Sequence, residues 1–215
     1  MCTEYNDSLF STLTGQRNLP MTVMDWGPTD EYLDRIQDNS NKGAHLATQY
    51  LIDQGHQRIA YIGGPLDKLP AQQRLQGFRE AMSDAGLTVD PNWIFESDFE
   101  CEGGKEAMRK LLSQEELPSA VFVGNDMMAM GAISEAQLSG VRIPEQLSII
   151  GYDNISYSAY FSPPLTTISQ PKDRLAKLAV STMIERLKKP RDTGKKIMLE
   201  PNLIVRDSVS APAKR

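Results

Sequence analysis

Short runs of β-branched and aliphatic residues alternate along the chain with longer stretches whose apolar positions recur at helical spacing. Residues 43–54 place Leu46, Ala47, Tyr50 and Leu51 on one helical face, and Gly55 ends that helix. Arg58–Ile62 follows as a buried strand that exits through Gly63-Gly64-Pro65, and a helix over 71–85 closes at Gly86. The unit then repeats. A strand at Trp93–Glu96 precedes a helix at 103–113, and a strand at Val121–Gly124 precedes a helix at 126–139. Leu147–Tyr152 reads as a further strand, flowing into a loop with Pro163 and Pro164. A short β segment over 165–169 leads into an amphipathic helix over 172–188, with Leu175, Leu178, Ala179, Thr182 and Met183 on one face. The tail over 197–209 is extended and interrupted by Pro201. Strand–helix alternation at this spacing predicts an α/β fold, a parallel sheet covered by helices on both faces.

In such sheets the loops leaving the carboxyl ends of the strands line the ligand crevice. That rule points to Asp25 after PMTVMD, the loop after YIGG, Asp98-Phe99, Asn125 and Asp153. Carboxylates and amides pair with hydroxyls, Arg donates a planar fork, and aromatic faces cover the C–H faces of a sugar ring. The residue types therefore suit a polyhydroxylated ligand. A polar residue just after a strand also caps the next helix, and Asp126 is read that way. For Asn125 and Asp153 the residues alone leave capping and ligand contact both open.

Composition narrows the function classes. With 215 residues and 40% hydrophobic content, the chain can build a core without staples. Its net charge of −5 argues against nucleic-acid binding by this segment, because phosphate contact needs clustered Lys and Arg. The short runs Lys188-Lys189 and Lys195-Lys196 read as solvated helix ends. Cys2 and Cys101 make no disulfide framework, and His45 and His56 lie far from either, so no metal site is expected. No apolar run reaches a membrane span, and MCTEYNDSLFSTL lacks the basic and apolar regions of a signal peptide. A cytoplasmic setting is the expectation. No phosphate-binding P-loop, dinucleotide fingerprint or nucleophile elbow occurs, and the two histidines assemble no triad, so an enzyme is not expected.

The segments IQDNSNKGAHLATQYLIDQGHQRIAYIGGP, RLQGFREAMSDAGL, AVFVGNDMMAMGAI, VRIPEQLSIIGYDN and SPPLTTISQPKDRLAKLA resemble the LacI/GalR repressor family. The closing LEPNLIVRDSV is similar to that family's last strand and ending. Within the family, MDWGP, IQDNS, LATQYLIDQGH, GPLDK and TTISQPKD are most similar to ribose-responsive members, and the stretch 92–172 is also close to purine-responsive ones. The resemblance implies a type I periplasmic-binding-protein-like fold, with two Rossmann-like lobes of parallel sheet joined by three crossovers. The C-terminal lobe would hold 41–168 plus 196–210, and the N-terminal lobe 1–40 plus 169–195. In the family a helix-turn-helix head, a hinge helix and the first strands of the N-terminal lobe precede the position of Met1. That lobe is therefore expected to be truncated, with apolar edges exposed.

The resemblance also implies site residues. Asp25 corresponds to a carboxylate for sugar hydroxyls, while Trp26 stands where related ribose-binding proteins carry an arginine. Arg74 matches an arginine that clamps hydroxyls, Phe99 a ring that stacks on the ligand, and Asn125 a sugar-binding amide replaced by glycine in purine-responsive members. Asp153 matches a carboxylate shared by both effector classes, and Gln170 a hinge-proximal amide. His56 reads as a packing or hydrogen-bonding position, His45 as a helix-surface residue, and Met127, Met128 and Met130 as helix packing or dimer interface. The implied protein is a homodimer that senses a small sugar, ribose above all, without cofactor, metal or membrane, and reaches operator DNA only through the missing head. The rival readings are a purine-responsive corepressor-type regulator and a sugar-binding transport protein. The GPLDKLP loop lacks the Arg-Asn-Thr set of the purine-responsive form.

Overall fold

The computed structural model describes Thr12, residues 20–24 and residues 31–213. Contacts divide the chain into two units, Met1–Asn39 with Pro171–Glu200, and Ser40–Gln170 with Pro201–Arg215.

The larger unit contains a six-stranded sheet. Its strands are β3 (Ile59–Gly63), β4 (Ile94–Glu96), β5 (Ala120–Val123), β6 (Ser148–Asp153), β7 (Thr166–Ser169) and β9 (Asn202–Ile204), arranged β4-β3-β5-β6-β7-β9. All neighbours are parallel except β7 and β9, so the returning tail closes one edge antiparallel. Side chains alternate across each strand and feed two separate cores. On one face Ile62, Val121, Val123 and Ile149 pack with residues of α3 (Cys101–Leu112) and α4 (Asp126–Leu138), notably Met108, Leu111 and Ala132. On the other, Ile59, Tyr61, Phe122, Ile150 and Tyr152 pack with α1 (Ser40–Asp53) and α2 (Leu69–Asp84) through Ala47, Leu51, Phe78 and Met82. Each large side chain buried in this way contributes roughly 1.5–3 kcal/mol. Glycine lets the helices of each pair meet backbone to backbone. A Cβ on Gly131 would strike the Cys101 carbonyl, and one on Gly77 the Asn41 carbonyl.

The smaller unit builds a parallel sheet β1-β2-β8 from β1 (Thr22–Met24), β2 (Asp34–Asp38) and β8 (Lys196–Leu199). Helix α5 (Lys172–Lys188) lays Leu175 against Ile36 and Leu199. Met24, Val180, Ile184, Leu187 and Met198 are exposed. The expected return of the chain to the C-terminal lobe at residue 196 is corrected here. Lys196–Leu199 pairs with β2 in the smaller unit, and the larger unit resumes at Pro201.

Residue β2 positions explain another difference from the sequence pattern. All five residues of DRIQD are buried, although only Ile36 is apolar. Asp34 is fully buried, accepting from Arg191 Nη2 at 2.5 Å and Lys195 N at 2.7 Å, with Arg186 Nη1 at 3.4 Å. The Arg186 guanidinium lies 4.1 Å from the Tyr32 ring. A fully buried carboxylate such as Asp34 is tolerated only where it meets opposite charge.

His56 behaves as a hydrogen-bonding position. Its ring nitrogens meet Ser119 Oγ at 2.8 Å and the Ser210 carbonyl at 2.9 Å, tying the turn after α1 to β5 and the tail. His45 lies on the helix surface, 3.1 Å from the Asp84 carboxylate. Burial pushes the His56 imidazole below its ordinary pKa, against a smaller opposing effect of its bond to the Ser210 carbonyl. The unfolded chain therefore binds the proton more readily than the folded one. This stability is complete above the unfolded value, about 6.5, and is lost as pH falls below it toward the folded value. Thermal melts from pH 8 to 5 are expected to fall on the acid side in the wild type, and less steeply in His56→Gln.

Candidate functional site

The carboxyl ends of β3, β5 and β6 lie side by side, and the residues just beyond them converge. Arg74 projects from the first turns of α2 and is 5% exposed, so its charge must be satisfied locally. Its Nη1 donates to the Gly124 carbonyl at 2.6 Å, and its Nη2 stands 3.5 Å from Asp153 Oδ1. Beneath it lies Tyr152, the ring centroid 3.8 Å from the guanidinium carbon, and Phe99 is 5.9 Å away. Guanidinium over an aromatic face is a favourable arrangement that also fixes the plane of the fork.

Asp153 ends β6 and keeps about a quarter of its side chain exposed, so its carboxylate faces both Arg74 and solvent. Phe99 is half-buried and packs against Gly64, where a Cβ would collide with the ring. Asn125 joins the group through Phe99, whose carbonyl accepts from its Nδ2 at 2.8 Å. Gln170 is half-buried and immediately follows β7, where Ser169 pairs with Asp153. Arg74, Phe99, Asn125 and Asp153 are thus gathered in one place, and Gln170 follows at the adjacent strand tip. Asp25 and Trp26 lie outside the described residues.

One expectation is corrected. The cap of α4 is Asn125, not Asp126: Asn125 has extended backbone and its Oδ1 accepts from Met128 N at 2.8 Å. Asp126 is already helical and fully buried, and its carboxylate accepts from Thr167 Oγ1 at 2.6 Å and Ile155 N at 2.9 Å. Asn125 therefore has one amide hydrogen and one lone pair beyond its two internal bonds.

Backbone strain marks the same place. Among the described residues, the non-glycine residues with positive φ are Phe99 at 69°, Asp153 at 105° and Asn154 at 50°. Side-chain-bearing residues held this way cost of order 1–3 kcal/mol each and concentrate at binding sites. Sequence reasoning missed Tyr152, the platform for Arg74, although it stands in the GYD motif. It also missed Asn154 and Arg206, whose link is sequence-distant. A groove along α2, lined by Leu66, Leu75, Arg79 and Asp84 among others, holds none of the expected site residues. Among the described residues no cluster of His, Cys, Asp or Glu could hold a metal, and no helix is long and apolar enough to cross a membrane.

Residues 48–209 match the family model for a periplasmic binding protein-like domain. A LacI family transcriptional regulator from Mycobacterium smegmatis superposes with a TM-score of 0.87 at 30% identity, over 96% of this chain and 75% of that one. The chain belongs to the LacI family. Within it, this LacI-family domain is 47% identical to the HTH-type transcriptional repressor PurR of Aliivibrio salmonicida, over 97% of its own length and 63% of that protein's. The chain thus spans less than two thirds of the length of that curated relative. A LacI family transcriptional regulator from Enterococcus faecium, solved with bound ribose, is 28% identical with a TM-score of 0.84, over 96% of this chain and 76% of that one. The α/β architecture of parallel sheets follows the family, and its curated relatives are repressors rather than enzymes.

Proposed function

We propose that this chain is the effector-sensing domain of a LacI-type transcriptional repressor and that the effector is a small sugar of the ribose class. The observation that carries the reading is the Arg74–Asp153 pair at 3.5 Å, which sets a donor fork beside an acceptor carboxylate at the strand tips. A sugar hydroxyl both donates and accepts, so adjacent hydroxyls on one ring can engage both partners at once. Phe99 supplies an apolar face alongside, Asn125 retains one donor and one acceptor, and Gln170 adds an amide at the neighbouring strand tip. The ribose-bound regulator of Enterococcus faecium supports this choice.

Binding would bias a conformational equilibrium and so change the affinity for operator DNA. DNA contact would come through a helix-turn-helix segment outside this chain, and the functional form would be a cytoplasmic homodimer.

A second reading is favoured by the curated relatives. Repressors at 44–48% identity carry the name PurR, which points to a purine effector, and Arg74, Phe99 and Asp153 could also hold a planar base. Asn125, where purine-responsive members carry glycine, weighs toward the sugar. Titration calorimetry of the chain with ribose, other pentoses and hypoxanthine separates the two. Ribose is expected to release heat with a defined stoichiometry and hypoxanthine none. Saturable binding of hypoxanthine alone would replace the sugar by a purine.

A further inference from the structure

Asp153 does not hold its own position. It and Asn154 are consecutive residues with positive φ, a backbone that Asp and Asn adopt more readily than other side chains but that still leans on local bonds. A turn of this kind persists only where its surroundings determine it.

Two side chains from distant parts of the chain do so. Asp126, at the start of α4, accepts from the Ile155 amide at 2.9 Å while its other oxygen takes the Thr167 hydroxyl at 2.6 Å. The carboxylate is fully buried, so these bonds are shielded from water. From the other side Arg206, two residues beyond β9, donates through Nη2 to Asn154 Oδ1 at 2.8 Å and through Nη1 to the Leu165 carbonyl at 2.6 Å. Asn154 completes the arrangement by donating from Nδ2 to Ser169 Oγ at 3.1 Å. The turn is therefore fastened to α4, to β7 and to the tail, and the carboxylate it carries is the one facing Arg74.

We infer that Asp126 and Arg206 are positioning residues for effector binding, acting through the Asp153–Asn154 turn without touching the ligand themselves. The inference rests on the proposed sugar-sensing reading for its binding arm only. It assigns a role to the Arg of the LIVRDSV ending and to the Asp of the GND motif, which sit in sequence more than seventy residues apart (126 and 206).

The test combines two measurements on the 215-residue chain. Without ligand, amide hydrogen exchange by NMR reads the turn directly. The Ile155 amide is expected to exchange at least about tenfold faster in Asp126→Ala, with smaller change in Asp126→Asn, which keeps one carbonyl acceptor. With ribose, calorimetry is expected to show about tenfold weaker binding in Arg206→Met, and partial recovery in Arg206→Lys. In an Asp153→Asn background, Arg206→Met should add almost no further loss, because the two act through the same group. Unchanged Ile155 exchange, or a loss in Arg206→Met that adds in full to that of Asp153→Asn, would overturn the inference. If the wild type binds no ribose, the sugar reading fails, and the exchange arm alone decides the positioning role. Should Asp126→Ala not fold, Asp126→Leu, which removes both acceptor oxygens at similar volume, carries the same comparison.

Discussion

Asp34→Ala is expected to destabilise the smaller unit by about 3–5 kcal/mol, the cost of leaving a buried cation without its partner. Asp34 is fully buried, and Arg186 beside it is 2% exposed. Removing the carboxylate deletes its bonds to Arg191 Nη2 and Lys195 N and leaves the Arg186 charge facing Tyr32 with little access to water. Asp34→Asn should cost less, because an amide oxygen still accepts from the Lys195 amide while the charge compensation is lost. Urea unfolding followed by circular dichroism, together with hydrogen exchange at the β2 amides, measures both. An unfolding midpoint in Asp34→Ala equal to that of the wild type would mean that Arg186 and Arg191 swing out to solvent without penalty, and would remove the cluster as a structural determinant.

The same cluster shows where pattern reading stops. Strand β2 has one apolar residue in five, so no alternation betrays it, yet it is the central strand of its sheet. Its first residue, Asp34, is tolerated in the core because Arg186, Arg191 and the Lys195 amide arrive from the segment around the end of α5, far away in sequence. By contrast, β3 (IAYIG) and β5 (AVFV) are near-continuous apolar runs between two helical layers, and β3, β5, β6 and β7 all lie within a residue of where the sequence pattern predicts them. Helices α1, α2 and α3 begin two or three residues before the expected starts; in α1 those residues are the polar Ser40-Asn41-Lys42, which carry no apolar spacing. Trp93 belongs to a 3₁₀ turn at Pro91–Trp93 and not to β4, because the Asp90 side chain accepts from Asn92 N and tightens the chain there.

At the site, the strand-tip rule located the neighbourhood but not the division of labour. Asn125 and Asp126 are adjacent, both are good caps by composition, and only backbone geometry decides between them. The extended φ and ψ of Asn125 put it outside the helix and in reach of Met128 N, while Asp126 is turned inward to Thr167 and Ile155. Tyr152 lies in the core on β6, and its second role under Arg74 depends on a helix far earlier in the chain. Arg206 was legible only as part of a family ending, since nothing local connects it to Asn154.

Arg74→Lys should separate the chemistry of the site from its stability, and Arg74→Ala should damage both. Arg74 touches the Gly124 carbonyl, the Tyr152 face and the Asp153 carboxylate together. Alanine removes a hydrogen-bonded charge worth about 1.5–3 kcal/mol to a ligand hydroxyl, so ribose affinity is expected to fall roughly 10- to 150-fold. It also strands the Gly124 carbonyl in a buried setting, which lowers stability by about 1–3 kcal/mol. Lysine keeps the charge near Asp153 but cannot supply a planar fork or stack on Tyr152, so most of the affinity loss should remain while stability largely returns. Calorimetry with ribose, run beside urea unfolding of each variant, reads the two effects independently. If Arg74→Lys binds as tightly as the wild type, the fork geometry is irrelevant and a point charge suffices. If Arg74→Ala loses stability but no affinity, the residue is a strut between β5 and β6, and the ligand must be held elsewhere.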